Sequence, residues 1–176
     1  MRVILEANTL LCKAKDRTSA TPFYLACETE DQDTIMMFLR HSNKICKIAT
    51  GLGPERMSAL HLAACKGNYN LALFLMDEFG AKVTAKDKFK RSPLTMAVRN
   101  GHARLASLLL QRGADWNHPD SSNNTPLHYA AGAGFIECID VLIRHGAKVN
   151  ADNIWKCKPI TIAMLMNHSG TVKRLL

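Results

Sequence analysis

The stretch TPLHYAAGAGFIECIDVLIRHGAKVN, residues 125–150, decides the fold, because the rest of the chain contains looser copies of it. Its Thr125 is predicted to cap a helix, and Pro126 at the first helical position gives up an amide hydrogen that would have no partner there. Gly134 supplies the positive φ that ends this helix. A second helix is predicted over residues 136–145 from apolar residues at helical spacing. The unit is a helix hairpin too small to bury its own apolar face, so it requires neighbours.

Equivalent segments recur along most of the chain at a nearly constant interval. The four-residue motif that begins the hairpin recurs at steps of 37, 34, 33 and 33 residues, at Thr21, Ser58, Ser92, Thr125 and Lys158. Other features keep the same register: a glycine nine residues later, as Gly67, Gly101 and Gly134, and a Gly-Ala pair after the second helix, as Gly80-Ala81, Gly113-Ala114 and Gly146-Ala147. This pattern is typical of a repeat protein, which buries its core between adjacent units.

The period and the T-P-L-H motif resemble the ankyrin repeat. The resemblance implies an all-α solenoid of stacked helix-turn-helix hairpins with β-hairpin-like loops, with about four and a half repeats in one domain. A partial repeat is placed at 1–15. The first to fourth repeats are placed at 16–53, 54–86, 87–119 and 120–152, and a truncated fifth repeat at 153–176, with an insertion at 42–56. The insertion is interpreted as a tolerated surface loop or as an additional contact element. Incomplete units at both ends predict a fragment of a larger protein, because a natural array needs capping repeats.

The fifth repeat departs from the motif at two positions. Lys158 cannot accept a hydrogen bond from the helix start as a threonine does, which is predicted to cost about 0.5–2 kcal/mol. Asn167 stands where earlier repeats have glycine, but asparagine can adopt the left-handed conformation. We therefore predict that the turn survives and that this repeat frays first.

The composition predicts a soluble, intracellular eukaryotic protein, either cytoplasmic or nuclear. The chain has 176 residues, of which 47% are hydrophobic, and a net charge of +8. Glu6 and Asn8 interrupt the N-terminal apolar residues too early for a signal peptide, and no apolar run approaches the roughly 20 residues of a membrane span. The cysteines show no CxxC or Cys/His ligand spacing, which argues against disulfides and zinc. They are interpreted as reduced thiols: Cys12, Cys27, Cys46, Cys65, Cys138 and Cys157.

No catalytic, cofactor-binding or metal site is predicted, and an enzyme is not expected. His61 and His128 occupy the fourth position of the motif, where the ankyrin resemblance implies a structural role at the start of the helix. His61 and Cys65 lie four residues apart on one helix, but no third group that would orient the histidine is visible. The sequence signatures of zinc metalloproteases, P-loop nucleotide-binding proteins and serine hydrolases are missing.

The resemblance implies a concave binding surface, formed by the hairpin tips, here called fingertips, and by the first helix of each repeat. The positions at which the family contacts its partners map onto residues of every full repeat. The predicted partner-binding residues are Lys66, Lys88, Phe89, Arg91, Arg99, Asn100, Ser122, Asn124, Ile154, Trp155, Leu165 and Met166. Between them, Gly132 and Ala133 are predicted to form a shallow floor that has few side chains.

This surface is predicted to be basic in its middle and apolar towards its C-terminal end. Lys66, Lys88, Arg91 and Arg99 are expected to converge around Phe89, an arrangement that suits an acidic peptide carrying a hydrophobic anchor. Two other interpretations stay open. The basic residues can be an ordinary solvated face, and the apolar residues can pack against a further repeat.

Three functional classes follow from this sequence. The leading one is a monomeric, non-catalytic protein-interaction module that binds an acidic peptide or domain. The second is a reader of nucleic acid or another polyanion, which is disfavoured because the basic residues are local and only Phe89 is placed to stack on a base. The third is a targeting or regulatory segment of a multidomain enzyme, since residues 155–164 faintly resemble ankyrin segments of poly-ADP-ribosylating enzymes.

Overall fold

The chain forms paired helices in the computed structural model, which describes residues 15–17, 20–29 and 53–176. Within these ranges there are nine α-helices and one 3-10 turn, and no residue is in a β-strand. The helices are α1 (Pro22–Thr29), α2 (Ala59–Lys66), α3 (Tyr69–Asp77), α4 (Pro93–Arg99), α5 (Ala103–Gln111), α6 (Pro126–Ala133), α7 (Ile136–Arg144), α8 (Pro159–Leu165) and α9 (Ser169–Leu175), and the 3-10 turn is Pro54–Arg56. Nearly all of the predicted partial repeat 1–15, residues 30–41 of the repeat predicted at 16–53 and residues 42–52 of the predicted insertion lie outside the described residues.

The helices stack in two layers. The first helices of the repeats, α1, α2, α4, α6 and α8, contact one another in chain order and form the inner layer. The second helices, α3, α5, α7 and α9, do the same in the outer layer, and each packs against the inner helix that precedes it. This arrangement confirms the predicted all-α solenoid of helix hairpins.

The hydrophobic core lies between neighbouring hairpins. Leu60, Leu94 and Leu127 occupy one position of successive inner helices, and each is at most 1% exposed. The outer helices repeat the pattern with Leu75, Leu109 and Leu142. Burial of a leucine side chain contributes about 1.5–3 kcal/mol, so each hairpin is stabilised mainly by the hairpins beside it.

Two inner helices end at a glycine, and in each case the histidine ring of the next repeat packs against that glycine. Gly67 has φ +71° and Gly134 has φ +75°, as predicted for the residue that ends the helix. An added Cβ would lie 2.5 Å from Nδ1 of His102 at the first position and 2.8 Å from Nδ1 of His168 at the second. His102 Nε2 also donates a hydrogen bond to the carbonyl of Cys65 at 3.0 Å, and His168 makes the equivalent bond at 3.1 Å. These histidines connect adjacent repeats, a role that the sequence did not reveal.

The start of α8 in the fifth repeat lacks a side-chain cap. Lys158 is the N-cap residue, and its side chain makes no hydrogen bond to the helix. Asn167 has φ +59°, which confirms that asparagine takes over the left-handed turn. The inner helix of this repeat therefore ends normally but begins without the stabilisation that the other repeats have.

Replacing Lys158 with threonine is expected to raise the free energy of unfolding by about 0.5–2 kcal/mol. The threonine hydroxyl can accept from the start of α8, as the hydroxyl of Ser92 accepts from the amide of Thr95 at 3.2 Å in α4. Urea unfolding followed by circular dichroism measures the gain. The control Lys148→Thr removes the same charge from an exposed loop position. A gain no larger than that of the control would contradict the capping argument.

Candidate binding surface

Four fingertip turns lie side by side along one edge of the solenoid. They comprise residues 53–57, 87–91, 120–124 and 153–157, and we number them second to fifth after their repeats. In each turn the backbone amide of the first residue donates to the carbonyl of the last, at 2.6–3.1 Å. Residues 53–56, which the sequence analysis included in the insertion 42–56, thus form the same turn as the other fingertips.

A buried carboxylate or carboxamide holds the shape of the third, fourth and fifth fingertips. These side chains belong to Asp87, Asp120 and Asn153, which are 5%, 9% and 4% exposed. In each case Oδ1 accepts hydrogen bonds from two backbone amides of the same turn, at 2.8–3.0 Å. The sequence analysis missed this role, although the regular spacing of the three residues is a signal that could have revealed it.

Backbone hydrogen bonds also join each fingertip to the next. In every case an amide near the start of one fingertip donates to a carbonyl of the preceding one. The bonds run from Lys88 to Glu55 (2.8 Å), from Ser121 to Phe89 (2.9 Å) and from Ile154 to Ser122 (3.2 Å). The fingertips therefore form one continuous row, which presents exposed side chains in a regular order.

His61 and His128 connect inner helices to fingertips of the following repeat. Nδ1 of His61 accepts from the amide of Ser58 at 3.2 Å, and its Nε2 donates to the carbonyl of Arg91 at 2.9 Å. His128 makes the equivalent bonds at 3.0 Å to the start of α6 and at 3.1 Å to the fifth fingertip. Burial lowers the pKa of both imidazoles, which keeps them neutral. This geometry agrees with the structural role assigned to them from the sequence.

The four basic side chains predicted to surround Phe89 lie at three separate places. Lys88 Nζ and the Arg91 guanidinium lie 5.3 and 4.6 Å from the centroid of the Phe89 ring. Arg91 is also paired with the buried carboxylate of Asp87 at 2.6 Å and with Glu55 of the preceding fingertip at 3.5 Å. Its charge is therefore largely compensated, and Lys88 is the exposed cation at this ring.

The other predicted basic residues contact different groups. The Arg99 guanidinium lies over the ring of Tyr129, 5.7 Å from its centroid. Lys66 Nζ donates a hydrogen bond to the carbonyl of Glu28 in the first repeat. Asn100 is exposed, and its Nδ2 donates to the carbonyl of an earlier residue of α4 at 2.8 Å. The predicted convergence of four cations on Phe89 is thus replaced by two separate contacts with aromatic rings.

A groove of about 560 Å³ lies between the fifth fingertip and the inner helices α6 and α8. It brings together predicted contact residues and others that the sequence analysis did not choose. The predicted ones are Arg99, Asn124, Gly132, Ala133 and Trp155, and the additional ones are His128, Tyr129, Asn153, Cys157 and Ile162. Gly132 and Ala133 contribute little side-chain volume to this groove, as the sequence analysis expected of the floor.

The apolar part of the predicted surface is strongly exposed. Ile154 and Trp155 at the fifth fingertip are 58% and 63% exposed, and Leu165 and Met166 at the end of α8 are 72% and 57% exposed. Of these side chains, Trp155 lines the groove. An exposed tryptophan beside a concave surface is the kind of group that contributes most to protein–protein recognition.

Burial disfavours the reactive thiolate form of Cys27, Cys65 and Cys138, and the described residues contain no metal cluster. Burial raises the pKa of Cys27 to about 12 and that of Cys138 to about 11, and it also raises the pKa of Cys65. These cysteines are therefore protonated at neutral pH, whereas nucleophilic cysteines need a lowered pKa. Within the ranges that the structure describes, His, Cys, Asp and Glu form no group of three or more that could hold a metal ion. None of the helices in those ranges is long and apolar enough to cross a membrane.

Comparison with known proteins reveals relatives along nearly the whole chain. Over 173 residues it is 33% identical to the poly(ADP-ribose) polymerase tankyrase of Caenorhabditis elegans, a match that covers 98% of this chain and 8% of that protein. It is 32% identical over 151 residues to the B-cell lymphoma 3 protein homolog of Mus musculus, covering 85% of this chain and 34% of that protein. The chain therefore spans about a third or less of these two relatives.

A shorter relative is covered almost completely. Cyclin-dependent kinase 4 inhibitor B of Mus musculus is 33% identical over 125 residues, which is 70% of this chain and 95% of the inhibitor. The family described as ankyrin repeats (3 copies) matches residues 4–87 and 94–176. Ankyrin repeats are generally protein-interaction modules that bind through an extended concave surface. The stacked hairpins, the repeated motif and these matches together show that the chain belongs to the ankyrin-repeat family.

Proposed function

We propose that this chain is a non-catalytic module that binds a peptide or protein domain, as a monomer, on the concave surface formed by its fingertips and inner helices. The observation that carries this proposal is the groove beside the fifth fingertip, where Trp155 is 63% exposed above a floor that has few side chains. Such a groove admits a backbone closely, and the indole offers a large apolar contact.

The partner is proposed to be acidic. Lys88 is exposed beside Phe89, and Lys86 and Lys90 are exposed nearby, while Asp87 of the same fingertip is buried and paired. Positive potential along the fingertips raises the association rate of acidic segments and lowers that of basic ones. Together with the apolar residues at the C-terminal end, this favours a segment that combines acidic and hydrophobic side chains.

Selection of peptides from a randomised phage-displayed dodecapeptide library against the purified chain tests this proposal. The tightest peptides are then synthesised with a fluorescent label, and their affinity is measured by anisotropy. Trp155→Ala is expected to weaken binding at least about tenfold, because loss of a central aromatic hot-spot side chain typically costs about 2 kcal/mol or more.

Trp116→Ala is the matched control for this experiment. Trp116 is 38% exposed and does not line the groove, so its loss is expected to leave peptide affinity nearly unchanged. Equal effects of the two substitutions would contradict the assignment of the groove. A single-stranded DNA oligonucleotide that binds more tightly than any selected peptide, with a steep dependence on salt, would favour the polyanion reader instead.

The similarity to tankyrase favours a second candidate, in which this chain is a targeting or regulatory segment of a larger enzyme. Nearly the whole chain matches a small part of a protein whose name describes a poly(ADP-ribose) polymerase. A binding role for the concave surface is compatible with this candidate, since the surface would then select what the enzyme meets. Sequencing of the full-length transcript through both ends of the chain tests it directly.

A further inference from the structure

The groove beside the fifth fingertip contains a single permanently charged side chain. Among its lining residues within the described ranges, Arg99 is the one lysine or arginine, and no aspartate or glutamate is among them. The remaining residues are aromatic, amide-bearing, small or apolar, apart from the neutral His128. Any ligand that enters the groove therefore meets an isolated positive charge that no acidic lining residue offsets.

Arg99 is held in place without being neutralised. Its guanidinium lies over the Tyr129 ring, 5.7 Å from the centroid, and it forms no ion pair within the part of the chain that the structure describes. The Tyr129 hydroxyl donates to Oδ2 of Asp120 at 2.5 Å, which fixes the ring. Stacking on an aromatic face leaves the N–H edge of a guanidinium available for an anion.

The carboxylate that orients the Tyr129 ring, Asp120, is engaged by other donors and forms no ion pair with Arg99 within the described residues. Asp120 is 9% exposed, and its Oδ1 accepts from the amides of Ser122 and Asn124, each at 2.8 Å. Its Oδ2 accepts from Tyr129. Three donors thus disperse the negative charge of Asp120, while the positive charge of Arg99 has no comparable compensation.

Asn124 adds a second donor to the groove. Its Oδ1 accepts a hydrogen bond from Nδ2 of the buried Asn153 at 3.0 Å, which fixes the orientation of the amide. Nδ2 of Asn124 then has no acceptor among the residues that the structure describes. The groove consequently presents an amide N–H₂ and a guanidinium, both donors, and both lie near the exposed indole of Trp155.

From this arrangement we infer that the groove binds an acidic residue of the partner, whose carboxylate accepts from Arg99 and Asn124 while a neighbouring apolar side chain contacts Trp155. Carboxylates match the fork of guanidinium donors, and they are the acidic groups that occur in unmodified peptides. The inference rests on the proposed function. It goes beyond that function by placing a carboxylate-selective subsite at Arg99, in addition to the positive potential of the exposed fingertip lysines such as Lys88.

The test is a double-mutant cycle with the phage-selected dodecapeptides. These peptides are expected to contain an aspartate or glutamate beside an apolar residue. Conversion of that acid to its amide is expected to weaken binding to the native chain about fivefold, the upper range for an exposed ion pair. The Arg99→Gln variant is expected to bind the acid peptide and the amide peptide with equal affinity. Binding of both peptides is still expected to depend on Trp155.

Arg104→Gln provides a closely matched control. Arg104 is also an exposed arginine stacked on a tyrosine, with its guanidinium 4.4 Å from the centroid of Tyr69, but it does not line the groove. This variant is expected to retain the fivefold preference for the acid. Circular dichroism melting of both arginine variants is expected to match that of the native chain.

The outcomes separate this inference from the proposed function. Peptides that bind in a Trp155-dependent manner without an acidic residue, or an acid preference that survives Arg99→Gln, would overturn the carboxylate subsite and leave the binding groove intact. Failure to select any peptide would count against both. A phosphoserine peptide that binds more tightly than its glutamate counterpart would overturn the choice of a carboxylate over a phosphate.

Discussion

Acidification from about pH 7 to about pH 5 is expected to lower the free energy of unfolding steeply, by up to about 1.4 kcal/mol per pH unit for each of His61 and His128. Both imidazoles are at most 2% exposed, and each Nδ1 accepts a backbone hydrogen bond that protonation would abolish. The native state therefore binds a proton more weakly than the unfolded state does. The pKa of each group is lowered from 6.5 in the folded chain, mainly by burial.

The direction of the effect follows from proton binding. As the pH falls below 6.5 the unfolded chain takes up protons, whereas the folded chain does so only at the lower native pKa. The stability that depends on the two neutral histidines is therefore fully present above pH 6.5. It is lost as the pH falls from 6.5 towards the native pKa. Urea unfolding at several pH values, followed by circular dichroism, measures this slope. With both histidines contributing, the loss reaches about 2.7 kcal/mol per pH unit.

The third repeat supplies a matched control for the histidines. Thr95 occupies their position, and its hydroxyl lies 3.1 Å from that of Ser92 in a buried, uncharged pair. The double variant His61→Thr and His128→Thr is expected to be less stable at pH 7, because it loses the bonds to the fingertips. Its stability should vary little between about pH 5 and about pH 6.5. A slope equal to that of the native chain would show that other groups are responsible.

Replacement of Gly67 with alanine is expected to lower the free energy of unfolding by about 2–5 kcal/mol. Two costs combine: a left-handed backbone for an alanine, about 1–2 kcal/mol, and overpacking, about 1–3 kcal/mol. The second cost arises because the new Cβ would lie 2.5 Å from Nδ1 of His102, whose ring is held by its bond to Cys65. Denaturant unfolding of the variant measures the sum.

Gly113→Ala separates these two costs. Gly113 has φ +87°, comparable to +71° at Gly67, but an added Cβ there would have no neighbour within 4 Å. This control is expected to lower the free energy of unfolding only by the cost of the left-handed backbone. In a double-mutant cycle with His102→Ala, the Gly67 substitution should show a coupling of about 1–3 kcal/mol, because the clash disappears with the ring. Equal losses at Gly67 and Gly113 would mean that the histidine ring moves aside freely.

These two predictions concern the contacts that stabilise the proposed binding surface. His61 and His128 join inner helices to fingertips, and His102 and His168 join the third repeat to the second and the fifth to the fourth. A partner that spans several fingertips depends on both sets of contacts, because they maintain the relative placement of neighbouring repeats. Variants that weaken these contacts are therefore expected to reduce both stability and affinity.

Several features of the fold were predictable from local sequence. Ser58 and Thr125 begin inner helices, Gly67 and Gly134 end them with positive φ, and Asn167 replaces glycine in the last turn. Each of these roles depends on the conformational preference of a single residue type at a fixed position of the repeat. Because the same positions recur at a regular interval, the hairpins and their stacking follow from the sequence.

The location of the proposed binding residues was predictable only in outline. Asn124 and Trp155 were placed on the concave surface from the repeat frame, and both line the groove. The frame did not reveal Tyr129, since a position in a repeat does not specify which ring a neighbouring arginine contacts. The sequence analysis also missed the buried turn residues such as Asp120, although Asp87, Asp120 and Asn153 recur at the repeat interval.

The sequence by itself determined the repeat, the helix ends and the order of side chains along the fingertips, because these are local properties of the chain. Only the tertiary structure decided which charges remain available. Glu55 of one fingertip and Asp87 of the next both pair with Arg91, whereas Arg99 stacks on Tyr129 from the following repeat. Charge compensation depends on atoms that approach within a few ångströms from different repeats, and the period alone does not encode these approaches.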